Sequence, residues 1–177
     1  VCLHTAGADS RQFRHLLCDA EVTGKWRVVA FDMPYHGRSL PPEGWWEKEY
    51  LLTTETYAET VMAFVRTLDL ELPVVLGCSM GGAVVLELAR RYAPEIGAVI
   101  GLEAANKVEG RFTDWQIVPD IDGSEMVASW TYGLMAPQSP EVNRREVWWT
   151  YAQGGPGIYR GDTYFYGVDW DLRGQEA

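Results

Sequence analysis

Histidine is scarce and unevenly spread. The chain has three, His4, His15 and His36, and none in the 141 residues that follow. This excludes an imidazole base anywhere after residue 36 in this stretch. Cysteine is equally rare: Cys2, Cys18 and Cys78 are odd in number and lack metal-ligand spacing. That excludes a disulfide framework and a metal site built on cysteine, and reads as free buried thiols in a reducing, cytoplasmic compartment. Basic residues are outnumbered, 15 against 25 acidic ones, for a net charge of −10. Such a surface repels phosphates, so no nucleic-acid partner is expected. No apolar run approaches the roughly 20 residues of a membrane span, and no signal peptide is visible. The apolar share of 47% excludes a disordered chain, and 177 residues suffice for one domain with a real core.

The two ends carry an expectation of their own. Val1 falls directly into Val-Cys-Leu-His, a strand already under way, and Asp171 to Ala177 supplies no finishing element. The chain is expected to be an internal slice of a longer protein.

Strand-like and helix-like segments alternate over the first hundred residues, as in a parallel sheet with crossover helices. Strands are expected at Val1 to His4, Trp26 to Asp32, Pro73 to Cys78 and Ala98 to Glu103. Within the second, Val28-Val29-Ala30-Phe31 is a continuous apolar run of the kind a strand buried on both faces needs. Helices are expected at Ser10 to Ala20, capped by Ser10, and at Thr56 to Leu68, opened by a Thr56–Glu59 capping box. In the latter, Tyr57, Val61, Phe64, Val65 and Leu68 form one apolar stripe. A third helix, Ala83 to Arg91, is apolar nearly all round and should be buried against the sheet. After about Asn106 the alternation stops and aromatics crowd in. Two more helices are expected there, near Ser124 to Met135 and Pro140 to Ala152.

The sharpest local signal is Gly77-Cys78-Ser79-Met80-Gly81, a G-x-S-x-G turn entered by a β-branched run and left by a helix. Ser79 at the tip of such a turn needs flanks without bulk, and the turn lifts its hydroxyl over the positive end of the helix. Cys78 beside it reads as a small space-filler.

Together with Leu3-His4-Thr5-Ala6-Gly7 and Phe31-Asp32-Met33-Pro34-Tyr35-His36-Gly37-Arg38-Ser39, this turn resembles the α/β-hydrolase superfamily over nearly the whole chain. Tyr35 stands where the related D-x-P-G-H-G-x-S turn has its first glycine. The wider pattern looks like enol-lactonases and small carboxylesterases with a helical cap. The resemblance implies an α/β fold, with a partial parallel sheet and flanking helices over residues 1–106. It also implies an inserted helical cap over 107–177, incomplete at its end.

It implies roles as well. Ser79 would attack an ester or lactone carbonyl and carry the acyl group. The backbone N–H of Met80 and of Ala6, with Thr5 as the alternative to Ala6, would bind the oxyanion. Serine rather than aspartate at the tip excludes the dehalogenase and epoxide-hydrolase chemistry of related enzymes. Glu103, at the end of the fourth strand, is the candidate triad acid, against a role in anchoring the cap. Asp32 reads as a loop organiser and His4 as a brace of the first loop, with His15 facing solvent. The family's order of Ser, acid, His puts the missing base, and with it the acid, beyond Ala177. Trp115, Trp130, Trp148 and Trp149 are candidates to line an apolar pocket, with one of the adjacent pair Trp148 and Trp149 packing and the other reaching the cleft. Gln153 to Gly157 reads as a turn.

The leading reading is a serine hydrolase of small-molecule esters or lactones that needs no cofactor and no metal, is inactive as this stretch alone, and meets no membrane. Perhydrolysis and acyl transfer use the same constellation. A C–C hydrolase would add a basic grip on a substrate carboxylate, for which Arg144, Arg145 and Arg160 are the candidates. The contrasting class is a non-catalytic ligand-binding protein on the same fold.

Overall fold

The computed structural model describes residues 1–118 and 121–175; the last two residues of the expected cap, 176 and 177, lie outside them. Three strands, β1 (Cys2–Leu3), β2 (Val74–Cys78) and β3 (Ala98–Leu102), form a parallel sheet in the order β1-β2-β3. Cys2 stands opposite Leu76, and β2 and β3 pair in register from Val74–Ala98 to Cys78–Leu102.

The expected second strand is reduced to one bridge, Cys2 to Ala30. β1 has only two residues, and the backbone bond it gives this neighbour is Cys2 N–H to Val29 O at 2.8 Å. Val28 to Phe31 is half-buried rather than covered on both faces. Phe31 instead stacks on Phe64 with ring centroids 4.2 Å apart.

Helices α1 (Arg14–Cys18) and α2 (Ala20–Thr23) replace the single helix expected over 10–20. A 3-10 turn, Ser10–Phe13, precedes them, capped by Asp9 rather than Ser10. The Ser10 N–H is occupied elsewhere, donating to Asp32 Oδ1 at 2.7 Å. Helix α3 (Thr54–Thr67) starts two residues earlier than its expected capping box, because Thr53 Oγ1 accepts the Thr56 N–H at 3.1 Å.

Helix α4 (Met80–Tyr92) leaves β2 directly and has Met80, Val84, Val85 and Leu88 fully buried. It packs with Tyr57, Val61 and Val65 of α3 in one core. Burying each such side chain contributes on the order of 1.5–3 kcal/mol, which outweighs the modest helix propensity of the β-branched residues. Glu87 is buried among them at 2% exposure and is balanced by Arg90 and Arg91.

Beyond β3 the chain makes a short turn, Asp114–Ile117, then α5 (Gly123–Leu134), α6 (Glu141–Ala152) and α7 (Ile158–Tyr164). A wide helical turn, Phe165–Asp169, follows α7. Helices α5 and α6 pack as a hairpin. Phe165, Tyr166, Trp170 and Leu172 instead enter the core shared by β1, α3 and α4. Among the described residues no helix is long and apolar enough to cross a membrane.

Candidate active site

The carboxyl ends of β1, β2 and β3 open into one cavity of about 460 Å³. Thr5 and Ala6 line it from the loop after β1, Cys78, Ser79 and Met80 from the turn after β2, and Glu103 from the end of β3. With the 26–32 segment on the far side of β1, successive connections leave β1 to opposite sides and the strand order reverses between β1 and β2. That reversal is where open α/β sheets leave a crevice.

Ser79 sits at φ 54°, ψ −109°, a conformation that costs a non-glycine residue on the order of 1–3 kcal/mol. Its N–H donates to Leu102 O and its carbonyl accepts the Ala83 N–H, both at 2.8 Å, which pins the turn from both sides. The hydroxyl makes no capping bond to α4, so Oγ stays available to the cavity. Both flanking glycines are obligatory. A Cβ on Gly77 would lie 2.0 Å from Gly81 O, and one on Gly81 would lie 2.4 Å from Leu3 O.

In the first loop the backbone donors are unequally committed. The Thr5 N–H donates to Gln12 Oε1 at 2.9 Å and the Gly7 N–H to Asp162 Oδ2 at 2.7 Å. Between them, the Ala6 N–H has no partner among the described residues. Gln12 and Cys78 both line the cavity, and burial pushes the Cys78 thiol above its ordinary pKa. Cys78 is therefore a neutral filler rather than a thiolate.

None of the three histidines lines the cavity. His4 is 1% exposed; its Nδ1 bonds Thr5 O at 2.9 Å and its Nε2 accepts the Met33 N–H at 3.1 Å. Burial, then the neighbouring His36, lower its pKa to about 4, so it is neutral and structural. His15 is exposed on α1 beside Glu146. His36 is buried with Nδ1 on Pro34 O and Nε2 on Asp162 Oδ2, each at 2.9 Å. Burial alone would lower its pKa; the Asp162 charge and hydrogen bond outweigh that and raise it. Asp32 accepts the N–H groups of Ser10 and Arg38, which hold its pKa down against burial.

Of the aromatic candidates, Trp130 lines the cavity from α5. Trp115 meets it edge-on at 5.3 Å but lines an adjoining pocket of about 180 Å³. Trp148 and Trp149 line neither space; Trp148 is half-buried and Trp149 is 57% exposed. The residue of α6 that reaches the cavity is Tyr151, which lines it together with Thr5. Burial pushes its pKa up to about 12, so it is a neutral phenol. Arg144 and Arg145 pair with Glu141, and Arg160 pairs with Glu49. None of these three lines the cavity; the arginine that does is Arg111.

Sequence reasoning passed over Gln12, Arg111, Tyr151 and Asp162. Asp162 is fully buried and gathers the Gly7 N–H, His36 and the Tyr50 hydroxyl, the last at 2.8 Å on Oδ1. Its partners lie more than a hundred positions away, so no local pattern marks it. Among the described residues, no group of three or more His, Cys, Asp or Glu side chains is placed to hold a metal ion.

A G-x-S-x-G turn between strand and helix at the carboxyl end of a parallel sheet points to one class, and the family comparison agrees: the alpha/beta hydrolase fold family model matches residues 1–125. The chain belongs to the alpha/beta hydrolase fold family. It superposes over 99% of its length on the enol-lactonase of Burkholderia xenovorans LB400, at 19% identity and a TM-score of 0.83, covering 66% of that chain. A hydrolase from Pseudomonas aeruginosa PA01 matches 98% of the chain at 21% identity and a TM-score of 0.80, with 65% of that protein covered. In sequence, a Mycobacterium phage D29 protein, provisionally named a non-heme haloperoxidase, is 32% identical over 106 residues, or 59% of this chain. The chain spans 35% of that relative's length.

Proposed function

We propose that this chain carries the nucleophile side of a serine hydrolase acting on carboxylic esters or lactones. Ser79 Oγ attacks the carbonyl carbon as its proton passes to a base. The carbonyl oxygen becomes an oxyanion held by the N–H groups of Met80 and Ala6. Collapse expels the alcohol and leaves an acyl group on Ser79, which water then releases. Thr5 is the weaker oxyanion candidate because Gln12 already occupies its N–H. Helices α5 and α6, with Trp130 and Tyr151 over the cavity, act as a cap on residues 1–106.

The observation that carries this reading is the strained Ser79 with an uncommitted hydroxyl in the cavity. The names of structural neighbours agree with it: an enol-lactonase, a thermophilic esterase from Thermogutta terrifontis and an N-acyl homoserine lactonase. Glu103 is the candidate acid. It lines the cavity and holds φ 51°, a strain expected where function over-determines geometry. A serine-directed fluorophosphonate should label this chain slowly at Ser79, for want of a base, and Ser79→Ala should abolish labelling. Labelling indifferent to that substitution would sink the reading. The three free cysteines fit a cytoplasmic setting, to be checked by cell fractionation.

One observation favours a second reading, a ligand-binding protein without catalysis: all three histidines lie outside the cavity. That reading expects an ester to bind without ever acylating Ser79.

A further inference from the structure

Among the described residues, Arg111 is the one basic side chain lining the main cavity, in a chain whose net charge is −10. Nine other arginines pair with carboxylates: Arg11, Arg14, Arg66, Arg90, Arg91, Arg144, Arg145, Arg160 and Arg173. Among the described residues Arg111 has no carboxylate within ion-pair distance. Arg27 and Arg38 share that condition but line neither space.

The backbone of Arg111 is held in place. Its carbonyl accepts Nε2–H of Gln116 at 3.0 Å, and Gln116 is buried. Oε1 of Gln116 in turn accepts from Thr113 N–H and Thr163 Oγ1–H, each at 3.3 Å. The guanidinium stands near the phenols of Tyr159 and Tyr166, and its charge acts on both. All three side chains line the cavity, and Arg111 and Tyr159 also line the adjoining pocket against Trp115 and Trp130. Glu103, the carboxylate in the main cavity, does not line that second space. A planar cation with a phenol beside it, where two spaces join, is a fork for a carboxylate.

We infer that the ester or lactone substrate bears a carboxylate remote from its reacting carbonyl, and that Arg111, with the Tyr159 hydroxyl, binds it. The inference rests on the ester-or-lactone reading for what the rest of the molecule is. One positive charge in a cavity that also holds Glu103 suits a monoanionic carboxylate better than a phosphate dianion, which would need a second cation. The arginines first expected to grip a carboxylate are already neutralised by Glu141 and Glu49.

The test uses Ser79→Ala, so that nothing is turned over, and calorimetric titration at pH 7 with monomethyl adipate, dimethyl adipate and inorganic phosphate. The monoester should bind roughly tenfold tighter than the diester, as one charge-assisted contact in a partly open site supplies. Adding Arg111→Gln should bring the two affinities together, while Arg111→Lys keeps part of the preference. Raising the salt concentration should shrink the preference. Equal binding of monoester and diester, a preference that survives Arg111→Gln, or tighter binding of phosphate would overturn the inference. Because Ser79 is absent from this experiment, its outcome is independent of the fluorophosphonate result.

Discussion

Two glycines and a glutamine decide what Ser79 can do. Gly77 and Gly81 let the turn close because each faces a backbone carbonyl within 2.4 Å of where a Cβ would stand. Gly77→Ala must therefore move main chain rather than a flexible side chain. Its urea midpoint is expected to fall by the equivalent of about 3 kcal/mol, the upper range of overpacking costs. This requirement was legible in the sequence, since G-x-S-x-G between strand and helix encodes it directly. Gln12 was not legible. Its importance comes from holding the Thr5 N–H in the cavity wall, which no spacing in the sequence signals. Gln12→Ala frees the loop carrying Ala6 while leaving Ser79 untouched. Fluorophosphonate labelling should then slow about tenfold, less than the 10²–10³ lost when an oxyanion donor is removed outright. An unchanged labelling rate would show that Gln12 does not position this loop.

At the scale of elements, α7 does more than its seven residues suggest. Asp162 ties α7 to the loop after β1 through Gly7 and to the turn after the 26–32 segment through His36. The strands and helices with strong periodicity, β2, α3, α4, α5 and α6, were legible. The 26–32 segment was misread because its apolar run carries no sign of how short its partner β1 would be. Helix α7 was missed because Arg160, Gly161 and Asp162 break any apolar stripe, and long-range partners bury them instead. Two histidines around this network set opposite pH limits. His4 has a folded-state pKa of about 4 against an unfolded value near 6.5. As pH falls from 6.5 towards 4 the unfolded chain takes up a proton that the folded chain refuses. This removes roughly 3 kcal/mol of stability. His36 is raised, so its contribution is fully present below about 6.5 and is lost as pH climbs through its folded value. Thermal unfolding should thus peak near pH 6.5. Asp162→Asn should flatten the alkaline limb and leave the acid limb in place. Asp162→Ala, which strands a buried His36, should cost about 3–5 kcal/mol.

For the whole molecule, the question is whether Ser79 can act as a nucleophile when no histidine lines its cavity. Every histidine of the 177 residues is accounted for: two are locked into backbone contacts at the sheet's edge, and one lies outside on α1. The cavity, by contrast, has room for a small molecule beside Ser79. If the oxyanion donors and the strained turn are competent alone, the chain should retain part of the roughly 10³–10⁴-fold acceleration that binding and oxyanion stabilisation give a triad enzyme without its base. Free imidazole supplied at tens of millimolar should then stand in for the absent side chain. An effective molarity that exceeds any free concentration separates a held base from a free one. Rescue should therefore be partial and linear in imidazole, and should follow the neutral form, rising with pH through about 7. The measurement is acylation of Ser79 by p-nitrophenyl acetate, read as a burst of nitrophenolate, in the chain and in Ser79→Ala. An imidazole-dependent burst that Ser79→Ala removes would establish the acyl chemistry of the elbow. Imidazole acceleration of equal size in both proteins would be bulk catalysis. The ligand-binding reading would then be the better account of this cavity.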